Sequence, residues 1–178
     1  MNLCQRQNMS NLLVRWVLGR DFPEILGIEK ESFEFPWCEE DFLRLLRRRN
    51  CVGLVAETTE QVAGYMLYEH NRGRIDLLTL AVEPKFRRAG VGRELLAKLI
   101  AKLSPSRHPI LSVSVRDSNL SAHLFLRSLG FRCVQVRHHS YDDTADDAYD
   151  FVYDIRRQEP ECAGVGANRV SPLYPQDA

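Results

Sequence analysis

A basic segment containing two glycines is the most informative chemical feature of the sequence. Arg87, Gly90 and Gly92 are spaced as Arg-x-x-Gly-x-Gly, after the apolar run 80–82 and before a helical pattern. Glycines let an anion approach the backbone closely, and the free N–H groups of a first helical turn point toward it. The segment therefore predicts a phosphate site between a strand and a helix. Countercharge is expected from Arg87, Arg88 and Arg93.

Taken alone, such a loop is as often a tight turn as it is a phosphate site. No Gly-Lys-Ser or Gly-Lys-Thr follows it, so a nucleotide P-loop is excluded. A second pattern comes further along the chain, in which Ser118-Asn119-x-x-Ala122 leads into Leu129-Gly130-Phe131. The two patterns in this order are far more specific than either one.

Hydrophobic periodicity predicts the elements that position these residues. Strands are expected at 13–18, 52–56, 62–68, 75–82, 110–115, 131–137 and 148–155. Helices are expected from the N-cap Asp21 to about Pro36, and at 39–48, 90–103 and 118–129, with His123 on an exposed side. The order βααβββαβαββ predicts a mixed, mostly antiparallel α/β sheet of about seven strands and about four helices.

Composition limits the classes of function. The chain has 178 residues, 44% of them hydrophobic, and a formal net charge of zero. This predicts one domain at 13–156, between a loose leader at 1–12 and a disordered tail at 157–178. Neutral charge argues against nucleic acid or an anionic membrane as the main partner. Five dispersed cysteines predict reduced thiols and a cytoplasmic protein. No metal site is expected, since His138 and His139 are adjacent on a strand.

Over about residues 12–155 the chain resembles the Gcn5-related N-acetyltransferase (GNAT) superfamily. The loop Arg87-x-x-Gly90-x-Gly92 matches the pyrophosphate loop of that family, and the segment from Ser118 to Ala122 matches its pantetheine helix. The resemblance implies the GNAT fold and transfer of acetyl from acetyl-coenzyme A (acetyl-CoA) directly to a primary amine, without a metal.

The resemblance also implies a set of cofactor-binding residues. Backbone groups on a locally splayed strand would hold the pantetheine and polarise the thioester carbonyl, at Leu80, Ala81 and Val82. The pyrophosphate would bind at Arg87, Arg88, Ala89, Gly90, Val91, Gly92 and Arg93. Asn119 would hold the pantetheine arm. A bulky residue at either glycine is expected to occupy the phosphate space.

The segment Phe35-Pro36-Trp37, together with Ser118-Asn119 and the loop at Tyr141, resembles the protein N-terminal acetyltransferase branch, in particular the ribosomal-protein-alanine type. In that branch Phe35, Pro36 and Tyr141 would wall the peptide entrance. The alternative is an ordinary helix-ending turn with an aromatic plug. Asp142, Asp143, Asp146, Asp147 and Asp150 follow Tyr141, and they would either attract a cationic amine or form a solvated hairpin tip.

The sequence departs from the family at the usual catalytic positions. Ser114 stands where relatives carry a Glu or His that acts as the general base. Leu126 stands where they carry a Tyr that acts as the general acid. An α-amine has a pKa near ~8, against ~10.4 for lysine, so it needs a base far less. A thiol of pKa ~8.5 can leave as the thiolate. These departures predict an N-terminal amine as acceptor, or a slow enzyme.

Candidate catalytic residues are therefore Asp76, Ser114 and Tyr141. Asp76 is included because it has the strand parity of Leu78 and Leu80; the alternative is a strand-edge carboxylate in solvent. Two other functions stay open: acetylation of a small-molecule amine, and a non-catalytic module that binds acyl-CoA. The oligomeric state is also open.

Overall fold

The computed structural model describes residues 12–138 and 146–157, which form one sheet with helices on both faces. The strands are β1 Leu13–Trp16, β2 Cys51–Glu57, β3 Val62–Asn71, β4 Arg74–Val82, β5 Ile110–Arg116, β6 Arg132–Arg137 and β7 Ala148–Asp154. The helices are α1 Phe22–Ser32, α2 Glu39–Leu46, α3 Val91–Ile100 and α4 Leu120–Ser128. The predicted order βααβββαβαββ is confirmed.

The seven strands lie in the order β1-β2-β3-β4-β5-β7-β6. Only β4 and β5 pair in parallel in this sheet, and every other neighbouring pair is antiparallel. A parallel pair requires a crossover, and α3 supplies it between β4 and β5. The short connections after β2 and β3 join β2, β3 and β4 as an antiparallel meander. None of the helices described is long and apolar enough to cross a membrane.

Two hydrophobic cores lie on opposite faces of the sheet. Leu95 and Leu96 of α3 pack with Phe151 of β7 on one face. Ile25 of α1 and Phe42 of α2 pack on the other face. Successive strand residues point to opposite sides, so the same strands supply both cores. The sheet is thereby held in place from both sides.

An ion-pair cluster joins β1, β2 and the start of α1. The guanidinium of Arg15 donates two hydrogen bonds to Asp21, at 2.7 and 2.8 Å, and two to Glu57, at 2.7 and 3.0 Å. Asp21 precedes α1 as predicted, but its carboxylate does not cap that helix; it accepts the N–H of Leu18 at 2.8 Å instead. The hydrogen bonds from Arg15 lower the pKa of the buried Asp21 carboxyl.

The first helix ends earlier than predicted. Backbone at Phe33 is already extended, with φ −126° and ψ 143°, so α1 stops at Ser32 rather than near Pro36. A proline disfavours helical backbone only in the residue before it. The chain leaves the helix sooner, and the N–H of Trp37 then donates to Glu29 Oε1. Residues 33–38 therefore form a separate segment between α1 and α2, here named the aromatic segment.

We predict that Arg15→Met destabilises the protein by about 3 kcal/mol at pH 7, because a buried carboxylate at Asp21 loses its cation. Arg15 lowers the pKa of Asp21, so its contribution is complete above the unfolded-state pKa of ~3.9 and is lost as pH falls through the lower folded-state value. Urea unfolding from pH 7 down to pH 3 measures both effects.

The matched control is Arg20→Met, since Arg20 is largely exposed and its Nε lies 3.8 Å from Asp21. We expect this control to change the unfolding free energy by no more than about 0.5 kcal/mol. Equal losses in the two variants would contradict a specific role for Arg15.

Candidate functional site

The site begins where β4 and β5 stop pairing. Their parallel register runs only from Arg74 opposite Ile110 to Leu77 opposite Val113. On its other side β4 has a β-bulge, since Tyr68 pairs with Leu77 but the preceding residue of β3 pairs with Thr79. A bulge bends its strand and increases the twist. The two strands therefore diverge beyond Leu77, as the family resemblance implies.

A cavity of about 270 Å³ fills the gap between the diverging strands. Its floor comes from the ends of β4 and β5, one wall from α1 and the aromatic segment, and the other wall from α4. The polar and charged residues of its lining are Glu29, Thr79, Ser114, Arg116 and Asn119.

Main-chain groups of β4 face this gap. The N–H of Glu83 donates to the carbonyl of Ala63 on β3 at 3.0 Å. Because hydrogen-bonded and non-hydrogen-bonded residues alternate in an antiparallel pair, the main-chain groups of Leu80 and Val82 point away from β3. The carbonyl of Val82 accepts Arg87 Nε at 3.0 Å. The main-chain groups of Leu80 are thus directed toward the cavity that this residue lines, and the N–H of Val82 points to the same side of β4.

The predicted anion loop leads into α3. Gly90 is the N-cap of the helix with φ +95°, and Arg88 has φ +63°. The first hydrogen bond of the helix runs from the N–H of Glu94 to the carbonyl of Gly90 at 3.0 Å. The N–H groups at 91–93 precede it and have no intrahelical acceptor. This cluster of outward N–H groups fits an anionic pyrophosphate.

The residues predicted to surround the pyrophosphate divide into two groups. Arg87 fixes the loop to its surroundings, because its guanidinium also donates to the hydroxyl of Ser32 at 3.0 Å. The N–H of Ala89 is used within the loop, donating to the carbonyl of Phe86 at 3.3 Å. Arg88 and Arg93 are exposed and pair with no carboxylate in the described ranges, so their charge is available to a phosphate.

The two glycines of the loop have different surroundings, and the structure corrects the expectation of a side chain in the phosphate space for Gly92 only. A Cβ at Gly90 would meet nothing within 4 Å, but the left-handed backbone there strains any other residue. A Cβ at Gly92 would lie 3.3 Å from Phe125 Cζ and 3.7 Å from Leu80 Cδ2. Gly92 therefore allows α3 to pack closely against β4 and α4.

Asn119 connects the cavity to α4. Its side-chain oxygen caps the helix by accepting the N–H of Ala122 at 3.0 Å, which turns its amide toward the cavity lining. The prediction that His123 is exposed is wrong. Its ring is buried, with Nε2 2.9 Å from the carbonyl of Arg116 and the ring of Tyr149 4.9 Å away. His123 thus ties α4 to the end of β5.

Ser114 reaches the cavity as part of a polar triad. Its hydroxyl donates to Asp150 Oδ1 at 2.6 Å and accepts Arg137 Nη2 at 3.0 Å. Burial raises the pKa of Asp150, but the hydrogen bonds from Arg137 and Ser114 outweigh it and hold the pKa below its usual value. A carboxylate is therefore placed one strand away from the position where relatives carry a base.

Asp76 lies beside the cavity but is not part of its lining. Its carboxylate accepts hydrogen bonds from Ser112, from Asn71 and, at 3.1 Å, from Arg74. The predicted parity is wrong for Leu80, because the bulge at Leu78 breaks the alternation: Leu80 packs with α3 and α4, whereas Leu78 packs with α1 and α2. The catalytic role of Asp76 stays a prediction, and this placement does not favour it.

Glu29 is the site residue that sequence reasoning missed. It is only 2% exposed and lines the cavity; Oε1 accepts the N–H of Trp37 at 3.0 Å, and Oε2 accepts the hydroxyl of Tyr65. Burial raises the pKa of its carboxyl to about 7. A signal was present: with Ile25 and Ile28, position 29 completes the apolar stripe of α1, where a carboxylate is unexpected.

Of the predicted entrance residues, Phe35 lines the cavity with Trp37, and the guanidinium of Arg116 lies 5.2 Å from its ring centre. Pro36 is exposed beside them. Tyr141 lies outside the described residues, as do Asp142, Asp143 and His139. Within the described ranges, no group of three or more His, Cys, Asp or Glu residues could hold a metal ion.

Comparison with known proteins agrees with this geometry. The sequence profile of the acetyltransferase (GNAT) family matches residues 22–131. The chain belongs to this family. This protein is therefore an N-acetyltransferase that uses acetyl-CoA. The family match confirms the predicted fold, reaction class and co-substrate.

Curated relatives include two named [ribosomal protein bS18]-alanine N-acetyltransferase. The protein of Salmonella typhimurium is 31% identical over 121 residues, covering 68% of this chain and 81% of the relative. The protein of Escherichia coli K12 is 30% identical over 124 residues, covering 70% and 83%.

Solved structures show the same fold. The ribosomal-protein-S18-alanine N-acetyltransferase from Escherichia coli superposes with a TM-score of 0.73 at 25% identity, over 86% of this chain and all of that one (100%). Arabidopsis thaliana NAA60 in complex with a bisubstrate analogue gives 0.73 at 19% identity, over 81% of this chain and 98% of the other, a likeness of fold alone.

We predict that Gly90→Val raises the dissociation constant for acetyl-CoA at least about tenfold, because a β-branched residue cannot hold the left-handed backbone that orients the loop N–H groups. Isothermal titration calorimetry measures the change. Gly73→Val is the matched control: Gly73 has φ +73° and open space around its Cβ, but it lies in the turn before β4. The control should lose stability and keep its affinity. Equal affinity in the Gly90 variant and the parent protein would refute the loop assignment.

Proposed function

We propose that the protein acetylates the α-amine of a protein or peptide N-terminus, with an alanine-starting chain as the first acceptor to test. The observation that carries this proposal is the cavity between β4 and β5, which has Leu80 of β4 on its floor and is walled by the aromatic segment. The relatives named as alanine N-acetyltransferases support the acceptor, since they are 31% and 30% identical to this chain over the 121 and 124 residues aligned.

The co-substrate has a defined place in this proposal. Acetyl-CoA supplies an activated acetyl thioester when it is bound. The N–H groups at 91–93, with Arg88 and Arg93, would hold its pyrophosphate, and the amide of Asn119 would hold its pantetheine arm. The inward N–H groups of β4 would bind the thioester carbonyl and polarise it.

The overall reaction consumes an ammonium group and releases a proton. A protonated N-terminus and acetyl-CoA give the acetylated N-terminus, coenzyme A as the thiol, and one proton. Leu126 is buried and has no proton to donate, so in this proposal the thiol leaves as thiolate and takes its proton from solvent. Its pKa of ~8.5 makes that departure accessible near neutral pH.

The acceptor side of the site is formed by groups that differ from the usual pattern. The hydroxyl of Ser114 is fixed by Asp150 and Arg137, and its remaining lone pair can accept an N–H of the amine or of a bound water. Phe35, Pro36 and Tyr141 would wall the peptide entrance. An α-amine suits such a site because about a tenth of it is neutral at pH 7.

The direct test is thiol release from acetyl-CoA with an alanine-starting peptide, together with mass spectrometry of the product. We expect release with the free peptide and none above background with the same peptide already N-acetylated. An acetylated polyamine or amino sugar, without any acetylated peptide, would replace the peptide by a small-molecule amine. Tight acetyl-CoA binding without release for any amine would indicate a non-catalytic module.

A further inference from the structure

A buried carboxylate in the cavity has no cation to balance it. Among the described residues, Glu29 forms no ion pair with any lysine, arginine or histidine; its hydrogen bonds come from Trp37 and Tyr65, both neutral. An uncompensated buried charge is costly, and this cost is what raises the pKa of the carboxyl to about 7. A cation that enters the cavity would remove that cost.

A second polar group of the same cavity also lacks a partner. The hydroxyl of Thr79 is buried and has no hydrogen-bond partner in the described parts of the chain. Buried hydroxyls are almost always satisfied, and this one lines a cavity, so it is available to a donor that enters the cavity. Thr79 belongs to the part of β4 that follows the bulge, at the point where the strand turns away from β5.

No described residue in contact with Glu29 is a cation, so the charge that balances its carboxylate is left to a ligand. On the side of β3 it faces the hydroxyl of Tyr65, and on the side of the aromatic segment it faces the N–H of Trp37. The one cationic residue in the described cavity lining is Arg116, which stacks on Phe35 and donates to Asp146 at 3.4 Å. The cavity therefore contains a carboxylate, a free hydroxyl and no cation committed to either.

We propose that Glu29 is the group that binds the α-ammonium of the acceptor and takes its proton, with the Thr79 hydroxyl as a second acceptor of the ammonium N–H groups. This inference rests on the proposed function, since it assigns the base for the same amine. It is a catalytic role at a residue of α1, on a different element from Ser114 of β5.

The proton transfer is balanced within this pair. One N–H bond of the ammonium breaks and one O–H bond forms on Glu29, while the electron pair stays on nitrogen as the lone pair that attacks the acetyl carbon. The C–N bond then forms as the C–S bond breaks, and sulfur keeps the electron pair. Glu29 returns its proton to solvent, the second proton lost from nitrogen also passes to solvent, and the thiolate takes one proton from solvent, so that one proton is released overall. A base of pKa about 7 is well matched to an amine of pKa ~8.

The first test is the pH profile of kcat/KM for an alanine-starting peptide, in the parent protein and in Glu29→Gln. The parent should rise through a pKa near 7 as Glu29 ionises, and fall above the amine pKa of ~8 as the ammonium is lost. Glu29→Gln can use only the neutral amine, so its kcat/KM should be about 100-fold lower at pH 7 and keep rising above pH 8.

A readout independent of turnover is peptide affinity in the presence of coenzyme A, measured by calorimetry. Glu29→Gln should weaken binding of the free-amine peptide about tenfold and leave the weaker binding of the N-acetylated peptide unchanged. Thr79→Val should weaken the free-amine peptide by a smaller factor, and Thr79→Ser should restore it. In each variant, an unchanged affinity for acetyl-CoA shows that the cavity is intact.

The matched control is Glu24→Gln, the same change on the same helix. Glu24 is exposed, lies outside the cavity and accepts the N–H of Val62 at 2.7 Å. Its pH profile and peptide affinity should equal those of the parent. A second variant, Tyr65→Phe, keeps the carboxylate but removes a donor to its ionised form, so the acidic limb should move to higher pH.

The outcomes separate this inference from the proposed function. If the parent acetylates the peptide and Glu29→Gln keeps the same kcat/KM and the same profile, Glu29 is not the base and the function stands. If the parent acetylates no peptide, the proposed function is wrong and the inference about Glu29 is wrong with it. Should Glu29→Gln not fold, the parent profile decides: the absence of an acidic limb near pH 7, or a limb that Tyr65→Phe does not move, overturns the proposal.

Discussion

The β-bulge at Leu78 is the constraint on which the rest of the site depends. One additional residue in β4 ends its pairing with β5 at Leu77 and changes which side of the sheet each later residue faces. Without it, the two strands would stay hydrogen-bonded and no cavity could open between them. With it, the main chain at Leu80 turns toward the cavity, and β4 continues through Val82 to the loop before α3. A local irregularity therefore opens the cavity and turns the main chain of β4 toward it.

The opposite wall of the cavity depends on a single carboxylate. Glu29 accepts the N–H of Trp37, so the aromatic segment is held across the cavity after α1 ends at Ser32. The same carboxylate contacts Tyr65 in the core below. This arrangement couples the shape of the acceptor entrance to the protonation of one group, because the ionised form is the better acceptor for both donors. Glu29 thus holds the aromatic segment in place and is also the group proposed to take the proton of the amine.

The elements and the anion loop could be predicted from the sequence because both are local. Apolar periodicity reports burial directly, so the order of strands and helices follows from it, and the spacing of Arg87, Gly90 and Gly92 describes one strand-to-helix turn. The bulge at Leu78 could not be predicted, since nothing in an alternating run shows where one residue is added. The error at Asp76 followed directly from it, because parity was counted through the bulge.

Glu29 and His123 were misjudged for a related reason: their burial depends on contacts far away in the chain. Glu29 is buried by Tyr65 on β3, and His123 by Tyr149 on β7. The pairing of Ser114 with Asp150 is of the same kind, since it requires the register between β5 and β7. Side chains that act across strands are visible only after the strands have been placed.

The central claim is that the diverging strands and the loop before α3 together form the acetyl-CoA site. Amide chemical shifts during a titration with acetyl-CoA test it most directly. We expect the N–H signals of Leu80, Val82 and residues 91–93 to shift together with one apparent affinity, while those of β1 and β2 stay in place. Saturable binding that leaves these signals unmoved and shifts others would contradict it.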